Sequence, residues 1–387
     1  MLKEKMLVPQ LRFSEFEEQW IMEEFRKIAN KRKKRFNPKE SDKNFPCIEL
    51  ECLSQETGIL LKKFDSKYQK SIKNIFSKED ILFGKLRPYL RKFLKPDFDG
   101  VCSSEIWVLN GKKVINDYLY FLIQTDRFNY QVNQTSGSKM PRADWDYISQ
   151  IKFNYPQSKE QQKIANFLTA IDNRIHTLEK KKTLLEQYKK GVMQKIFKQE
   201  LRFKDDTSTS LSASDGKAFP EWEEKKLGEV CSKKSSNISA NKIEENFGEY
   251  IIYGASGVLK KVDFYKEEND YVSIIKDGAG VGRIVYCKGK SSVLGTMEII
   301  KPNSKLNTYF LYCLLENVNF KKYITGSTIP HIYFKDYKKE KCNIPPLEEQ
   351  TKIANFLSTI DKNIELVTKK IEHTKTYKKG LLQQMFV

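Results

Sequence analysis

No apolar run in this 387-residue chain approaches the length needed to cross a bilayer. The longest, such as residues 118–123 (YLYFLI) and 309–315 (YFLYCLL), are about a third of the roughly 20 residues that a spanning helix requires. The opening stretch, MLKEKMLVPQLRFSEFEEQW, breaks its apolar side chains with charges and holds no continuous apolar core, which argues against a secretory signal and makes the cytoplasm the expected compartment. Histidine is scarce, with His176, His331 and His373 only, and the seven cysteines, at 47, 52, 102, 231, 287, 313 and 342, are odd in number and scattered. Only Cys47 and Cys52 are close together, so reduced thiols are expected, without a disulfide framework and without a metal. Catalytic signatures are missing as well: there is no Gly-x-x-x-x-Gly-Lys-Ser/Thr phosphate loop, no Asn-Pro-Pro-Tyr and no convincing Pro-Asp with a following Glu-x-Lys nuclease cluster. Gly278-Ala279-Gly280-Val281-Gly282 lacks the strand-loop-helix setting of a nucleotide loop and reads as a tight connection between strands. Neither a catalytic residue nor a cofactor-binding residue is expected.

Charge is present in excess of one sign. Lysine and arginine number 69 against 50 aspartate and glutamate, a net charge of +19 that is spread along the chain. A polyanion is the partner class such an excess favours, because phosphate neutralisation releases counterions. With 39% hydrophobic residues the chain is globular, and its length suits two or three folded units.

The dominant feature is an internal repeat. The segment PQSKEQQKIANFLTAIDNRIHTLEKKKTLLEQYKKGVMQKIF from Pro156 aligns without a gap to PPLEEQTKIANFLSTIDKNIELVTKKIEHTKTYKKGLLQQMF from Pro345, an offset of 189 residues with 20 identities in 42 positions. Upstream at the same offset, Gly137, Ser138 and Pro141 fall on Gly326, Ser327 and Pro330. Leu11-Arg12-Phe13 precedes Trp20 as Leu201-Arg202-Phe203 precedes Trp222. DILFGKLRPYLRK from Asp80 takes the place of DYVSIIKDGAGVGRI from Asp270, and SSEIWVL around Glu105 that of GTMEII around Glu298. Each half is therefore a mixed globular domain followed by one long helix.

Period argues for the helices. Ile164, Leu168, Ile171, Ile175, Leu178, Leu185, Val192 and Ile196 recur in steps of four and three, with Lys182 and Lys189 in the two gaps. The second copy repeats the stripe with Ile353, Leu357, Ile360, Ile364, Val367, Ile371, Leu381 and Met385, interrupted by Thr374 and Lys378. Ser158 with Gln161 matches a capping box, and Pro345-Pro346 ends whatever precedes the second helix. A narrow apolar stripe on a charged helix needs a partner. The expected partner is its duplicate, with Ile164, Leu168, Ile171, Ile175 and Leu178 on one helix and Ile353, Leu357, Ile360, Ile364 and Val367 on the other. Each globular domain is attached to the start of its helix and the second begins near the end of the first helix, which antiparallel pairing satisfies most simply. The expected fold class is α+β: two mixed globular domains separated by two long antiparallel helices in an intramolecular coiled coil, a pseudo-twofold dumbbell. The expected divisions are a first domain at 1–155, a first helix region at 156–203, a Ser/Thr/Asp-rich linker at 204–218, a second domain at 219–344 and a second helix region at 345–387.

A Gly-Ser loop with proline, the Pro-x-x-x-Glu-Gln-x-Lys-Ile-Ala-x-x-Leu opening of a long helix, the recurrence of both, and a dissimilar domain before each copy together resemble the specificity subunit of type I restriction-modification enzymes. The resemblance covers essentially the whole chain. It implies a non-catalytic subunit with two target recognition domains, each reading half of a split, asymmetric sequence in double-stranded DNA, and helices that measure the spacer. It further implies that the helices dock two methyltransferase (modification) subunits that methylate adenine, and it leaves room for two ATP-dependent restriction subunits. S-adenosylmethionine and ATP are then expected on those partners and not on this chain.

Candidate DNA contacts follow from loop chemistry. The densest basic run is Lys31-Arg32-Lys33-Lys34-Arg35. In GKLRPYLRK, Gly84 and Pro88 imply a loop that projects Lys85, Arg87, Arg91 and Lys92 beside Tyr89, suited to phosphate or guanine. Ser138, Lys139 and Arg142 in the first Gly-Ser loop, and Ser327, Thr328 and His331 in its counterpart, lie in turn-forming segments just ahead of the helices. Ser256, Lys276 and Arg283 occupy similar settings in the second domain, whereas Lys180, Lys181, Lys369 and Lys370 suit a solvated coiled coil or a partner face. The competing readings are a coiled-coil scaffold or RNA-binding protein and a self-contained methyltransferase, which would have to bind S-adenosylmethionine by itself.

Overall fold

The computed structural model describes residues 8–134, 140–205 and 217–387. The chain forms two compact units, each discontinuous in sequence: one comprises the residues up to 179 together with 369–387, the other residues 180–368. Both long helices are shared between the units, because the two halves of each helix pack on different cores. Residues 164, 165 and 168 join residues 381, 382 and 385 in the first core, while 192 and 196 join 353, 357 and 360 in the second.

The units are built to one plan. In the first, the strands Ala29–Lys31, Ile106–Gly111, Ile81–Gly84 and Phe93–Leu94 lie in that order in an antiparallel sheet. In the second, Cys231–Ser235, Met297–Pro302, Tyr271–Ile275 and Ile284–Cys287 repeat the order and the directions. The inner strands, such as ILFG and YVSII, are buried along their whole length, which is why they read as continuous apolar runs and not as alternation. A second, mixed sheet in each unit contains one parallel pair, Pro46–Ile48 with Gly100–Cys102 and Tyr250–Gly254 with Ser291–Val293. Strand Ile21–Glu24 pairs with Lys152–Tyr155, and Glu223–Lys226 with Lys341–Ile344, so each domain closes just before its helix starts. The Glu105 and Glu298 segments do correspond, but the register equates Glu105 with Thr296: Ile106 faces Gly84 as Met297 faces Ile275.

The helices run Ser158–Phe197 and Leu347–Gln384, through Gly191 and Gly380 without a break. Pairing is antiparallel within each unit. In the first, Asp172 meets Lys378 at 2.7 Å and Glu179 meets Lys375 at 2.7 Å; in the second, Lys189 meets Asp361 at 2.7 Å. Asp172 and Lys189 are the repeat equivalents of Asp361 and Lys378, so one ion pair is built twice, with donor and acceptor exchanged between the helices. The lysines that interrupt the apolar stripe are thus paired across it. Of the expected pairing residues, Ile164, Leu168, Ile175, Leu178, Ile353, Leu357, Ile360 and Val367 are buried, and Ile171 and Ile364 are half-buried at the core margins.

Gln161 does not cap with Ser158. Its side chain accepts from the Ile115 N–H at 2.9 Å and donates to the Pro156 and Lys113 carbonyls, and Gln350 does the same with Asn307, Pro345 and Lys305. Tertiary donors and acceptors outcompete the local cap because burial leaves the amide no water to fall back on. The neighbouring glutamates, Glu160 and Glu349, are 1% and 0% exposed. Arg12 reaches Glu160 through Nε and Nη2, both at 2.8 Å, and Trp20 Nε1 donates to it at 3.3 Å. Arg202 and Trp222 repeat this at Glu349, at 3.2, 2.8 and 3.0 Å. Each carboxylate holds its guanidinium above the usual arginine range. Leu11 N–H donates to Gln384 O, Leu201 N–H to Lys195 O, and Phe13 and Phe203 pack edgewise on Phe167 and Phe356, which accounts for the repeated Leu-Arg-Phe.

All seven cysteines are free and buried. No helix among the described residues is long and apolar enough to cross a membrane.

Candidate nucleic-acid interface

At one end of the four-stranded sheet in each unit, two loops are tied together by the same backbone bonds. In the first unit Lys85 N–H donates to Glu105 O at 2.9 Å, Ala143 N–H to Lys85 O at 2.8 Å and Arg87 N–H to Pro141 O at 2.7 Å, with Leu86 bridging Arg142. In the second, Lys276 N–H donates to Thr296 O at 3.0 Å, Ile332 N–H to Lys276 O at 3.0 Å and Gly278 N–H to Pro330 O at 2.9 Å, with Asp277 bridging His331. Both first loops turn through a left-handed residue, Arg87 at φ 52° and Gly278 at φ 89°. Arginine carries a steric penalty there that glycine avoids, and such residues concentrate at functional sites.

The loop beginning at Arg87 continues as a single turn, Pro88–Leu90, that presents Tyr89 to solvent. The exposed Arg87 side chain has no partner among the described residues. Arg142 Nε donates to Glu105 at 3.0 Å, and Lys85 Nζ lies 4.0 Å from the same carboxylate. Lys31 packs over Trp145, 4.9 Å from the ring centre, and its partial burial lowers its pKa. Arg91 and Lys92 serve the fold instead of the loop surface. Arg91 pairs with Asp126 at 2.8 Å, and Lys92 Nζ donates to Leu50 O at 2.7 Å. Sequence alone could not separate them from Lys85 and Arg87, because their partners are distant in the chain.

The basic run divides in the same way. Arg32 is bound to the buried Asp80 at 3.0 Å, while Lys33, Lys34 and Arg35 are exposed and unpaired among the described residues. Ser138 and Lys139 lie outside the described residues.

In the second unit Ser256 is exposed at the two-residue turn between Tyr250–Gly254 and Gly257–Val262, and Arg283 Nη1 donates to Ala255 O at 3.0 Å. That bond ties the hairpin turn to the Gly278-Gly282 connection, which joins two antiparallel strands. Lys276 Nζ lies 4.0 Å from Asp277. Ser327 and Thr328 are exposed, and His331 Nδ1 lies 3.0 Å from Ile329 O. Lys180, Lys181, Lys369 and Lys370 are exposed on the helices.

Two matters escaped sequence reasoning. The Glu-Gln pair that opens each helix was visible as a motif, but its partners, an arginine and a tryptophan about 130–150 residues away, were not. Exposed apolar side chains at Met140 and Ile329, at equivalent positions of the two loops, were also missed, although the offset of 189 already aligned them.

The profile of the type I restriction modification DNA specificity domain matches residues 18–187 and again 220–375. The MjaVIII type I restriction enzyme specificity subunit of Methanocaldococcus jannaschii is 28% identical over 315 residues, covering 73% of this chain and 72% of that one. The MjaIX specificity subunit of the same organism is 25% identical over 296 residues, 70% of this chain and 68% of its own. The crystal structure of a type I restriction-modification S subunit from M. genitalium superposes with a TM-score of 0.65 at 17% identity, over 98% of this chain and 99% of that one, and so shares the fold. With both halves matched and the fold shared end to end, the chain belongs to the family of type I restriction-modification specificity subunits.

Proposed function

We infer that this chain is the non-catalytic DNA-recognition subunit of a type I restriction-modification complex, each unit reading one half of a bipartite, asymmetric target. The observation that carries the reading is the pair of bracketed loops. One backbone frame is built at the same end of both sheets, yet it presents Lys-Leu-Arg with Met-Pro-Arg in one unit and Lys-Asp-Gly with Ile-Pro-His in the other. A constant frame with variable side chains is what two readers of different half-sites require. The paired helices set the spacer and dock two modification subunits, which bring S-adenosylmethionine, and two restriction subunits bring ATP. The compartment is the cytoplasm, where the DNA is.

Exchange of residues 204–344 for those of a relative is expected to change one half-site and leave the other intact. The readout is sequencing of methylated bases in cells that express the chain with its modification subunit, and an unaltered target rejects the reading. Inserting one helical turn in the helices should lengthen the spacer. Purified chain alone is expected to give no calorimetric heat with S-adenosylmethionine; saturable binding would favour a self-contained enzyme.

Replacing Lys33, Lys34 and Arg35 together by alanine is expected to weaken binding to all duplexes alike, and to flatten the salt dependence by about one unit of slope for each phosphate no longer neutralised. Binding isotherms across a salt series check this. A change confined to the target sequence would assign the run to base reading instead.

A further inference from the structure

We propose that Met140 and Ile329 are apolar wedges that press into the base stack of their half-sites, each opening one base step. The proposal rests on the recognition reading above and names what the two loops do once on DNA. Met140 is 49% exposed and Ile329 63%. A single exposed hydrophobe is ordinary. Here it occurs twice, at equivalent positions, each directly before a proline whose carbonyl is held by the neighbouring loop. A residue before proline is confined to extended backbone, so neither side chain can turn back by a local rotation into a helical conformation.

The second loop is fixed further. Thr325 and His331 exchange backbone bonds of 2.9 and 2.8 Å, closing residues 326–330 into a tight projection. Gly326 sits at φ 89°, where a Cβ would come within 2.5 Å of Ile329 O. His331 Nδ1 donates to that same oxygen at 3.0 Å. The backbone around Ile329 is therefore held by the Thr325–His331 pair, by the His331 imidazole and by the Gly278 N–H on the Pro330 carbonyl, while its side chain has solvent for company.

The surroundings select the partner. Ser327 and Thr328 directly precede Ile329, and Arg142, half exposed and paired with Glu105 at 3.0 Å, follows two residues after Met140. A protein interface needs a contiguous apolar patch of several hundred Å², which one side chain among hydroxyls and cations does not supply. An exposed apolar residue beside hydroxyls or a guanidinium, groups able to bind phosphate, matches the side chains that enter DNA between base steps and unstack them.

The test uses the chain in complex with its modification subunits, on duplexes carrying the target identified by methylated-base sequencing. Permanganate reactivity of thymines, or 2-aminopurine fluorescence, is expected to mark one unstacked step in each half-site. Ile329→Ala should abolish the signal in the half-site read by the second unit only, and Met140→Ala in the other only. Ile329→Leu should retain it. Each alanine variant is expected to lower affinity about tenfold for the target and little for scrambled duplex. An unchanged signal in Ile329→Ala, or stacked steps throughout in the unaltered complex, overturns the wedge while leaving recognition standing. Absence of any preference for the target over scrambled competitor overturns the recognition reading itself.

Discussion

Glu349→Ala is expected to destabilise the second unit by about 3–5 kcal/mol, the cost of leaving a buried charge partner and an indole donor unmatched. The carboxylate is fully buried and accepts from Arg202 twice and from Trp222 once. Removing it leaves the guanidinium with the neutral Phe219 and Pro220 carbonyls and only the solvent-exposed Glu221 carboxylate, at 4.0 Å, to offset its charge. Glu349→Gln keeps an oxygen acceptor of the same shape and should cost less than half as much. Trp222 is the one tryptophan of the second unit and Trp20, Trp107 and Trp145 lie in the first, so in thermal unfolding of Glu349→Ala only the Trp222 share of the intrinsic fluorescence is expected to change at lower temperature than in the parent. Glu160→Ala should produce the matching loss in the first unit, through Arg12 and Trp20. An alanine variant within about 1 kcal/mol of the parent would mean that water replaces the carboxylate and the joint is not a closed one.

Lys378→Ala should cost about 1–3 kcal/mol, less because Asp172 keeps some access to solvent. Lys378 Nζ also donates to Gln124 at 2.9 Å, so its removal loosens the packing between helix and domain as well as that between helices. The exchange Asp172→Lys with Lys378→Asp should recover much of the coupling, which a double-mutant cycle in urea reads out. The effect of pH has a definite sign. Burial already raises the Asp172 pKa above the ordinary carboxylate range, against the pull of Lys378. With the lysine gone the folded-state pKa rises further, so as pH falls the folded state takes up its proton before the unfolded state does and gains stability. The deficit of Lys378→Ala is therefore largest at neutral pH and narrows as pH falls through the raised folded-state pKa of Asp172. A deficit that stays constant over that range would show that Asp172 is hydrated in the variant.

These two joints show where the sequence was legible. Periodicity exposed both helices and the offset of 189 exposed the duplication, because helix faces and repeats are local patterns carried by spacing alone. Lys189 and Lys378 stood out as gaps in an apolar stripe, and only the fold revealed that Asp361 and Asp172 stand across from them. The loops were legible as loops, through Gly84, Pro88 and the Gly-Ser segments. Which of their cations face outward was not, since Arg87 and Arg91 differ in partners supplied from 35 residues away or more and not in any neighbouring residue.

By itself the chain's sequence determined a duplicated α+β protein with two long helices, a strongly basic balance and a likeness to type I specificity subunits. Those follow from composition, period and self-similarity, which need no third dimension. Tertiary structure alone decided that each compact unit borrows half of each helix, that Glu160 and Glu349 close the joints, and that Met140 and Ile329 stand in solvent on anchored loops. The physical reason is that burial, ion pairing and the groups left unpaired depend on residues distant in the chain, and folding alone brings those within hydrogen-bonding reach.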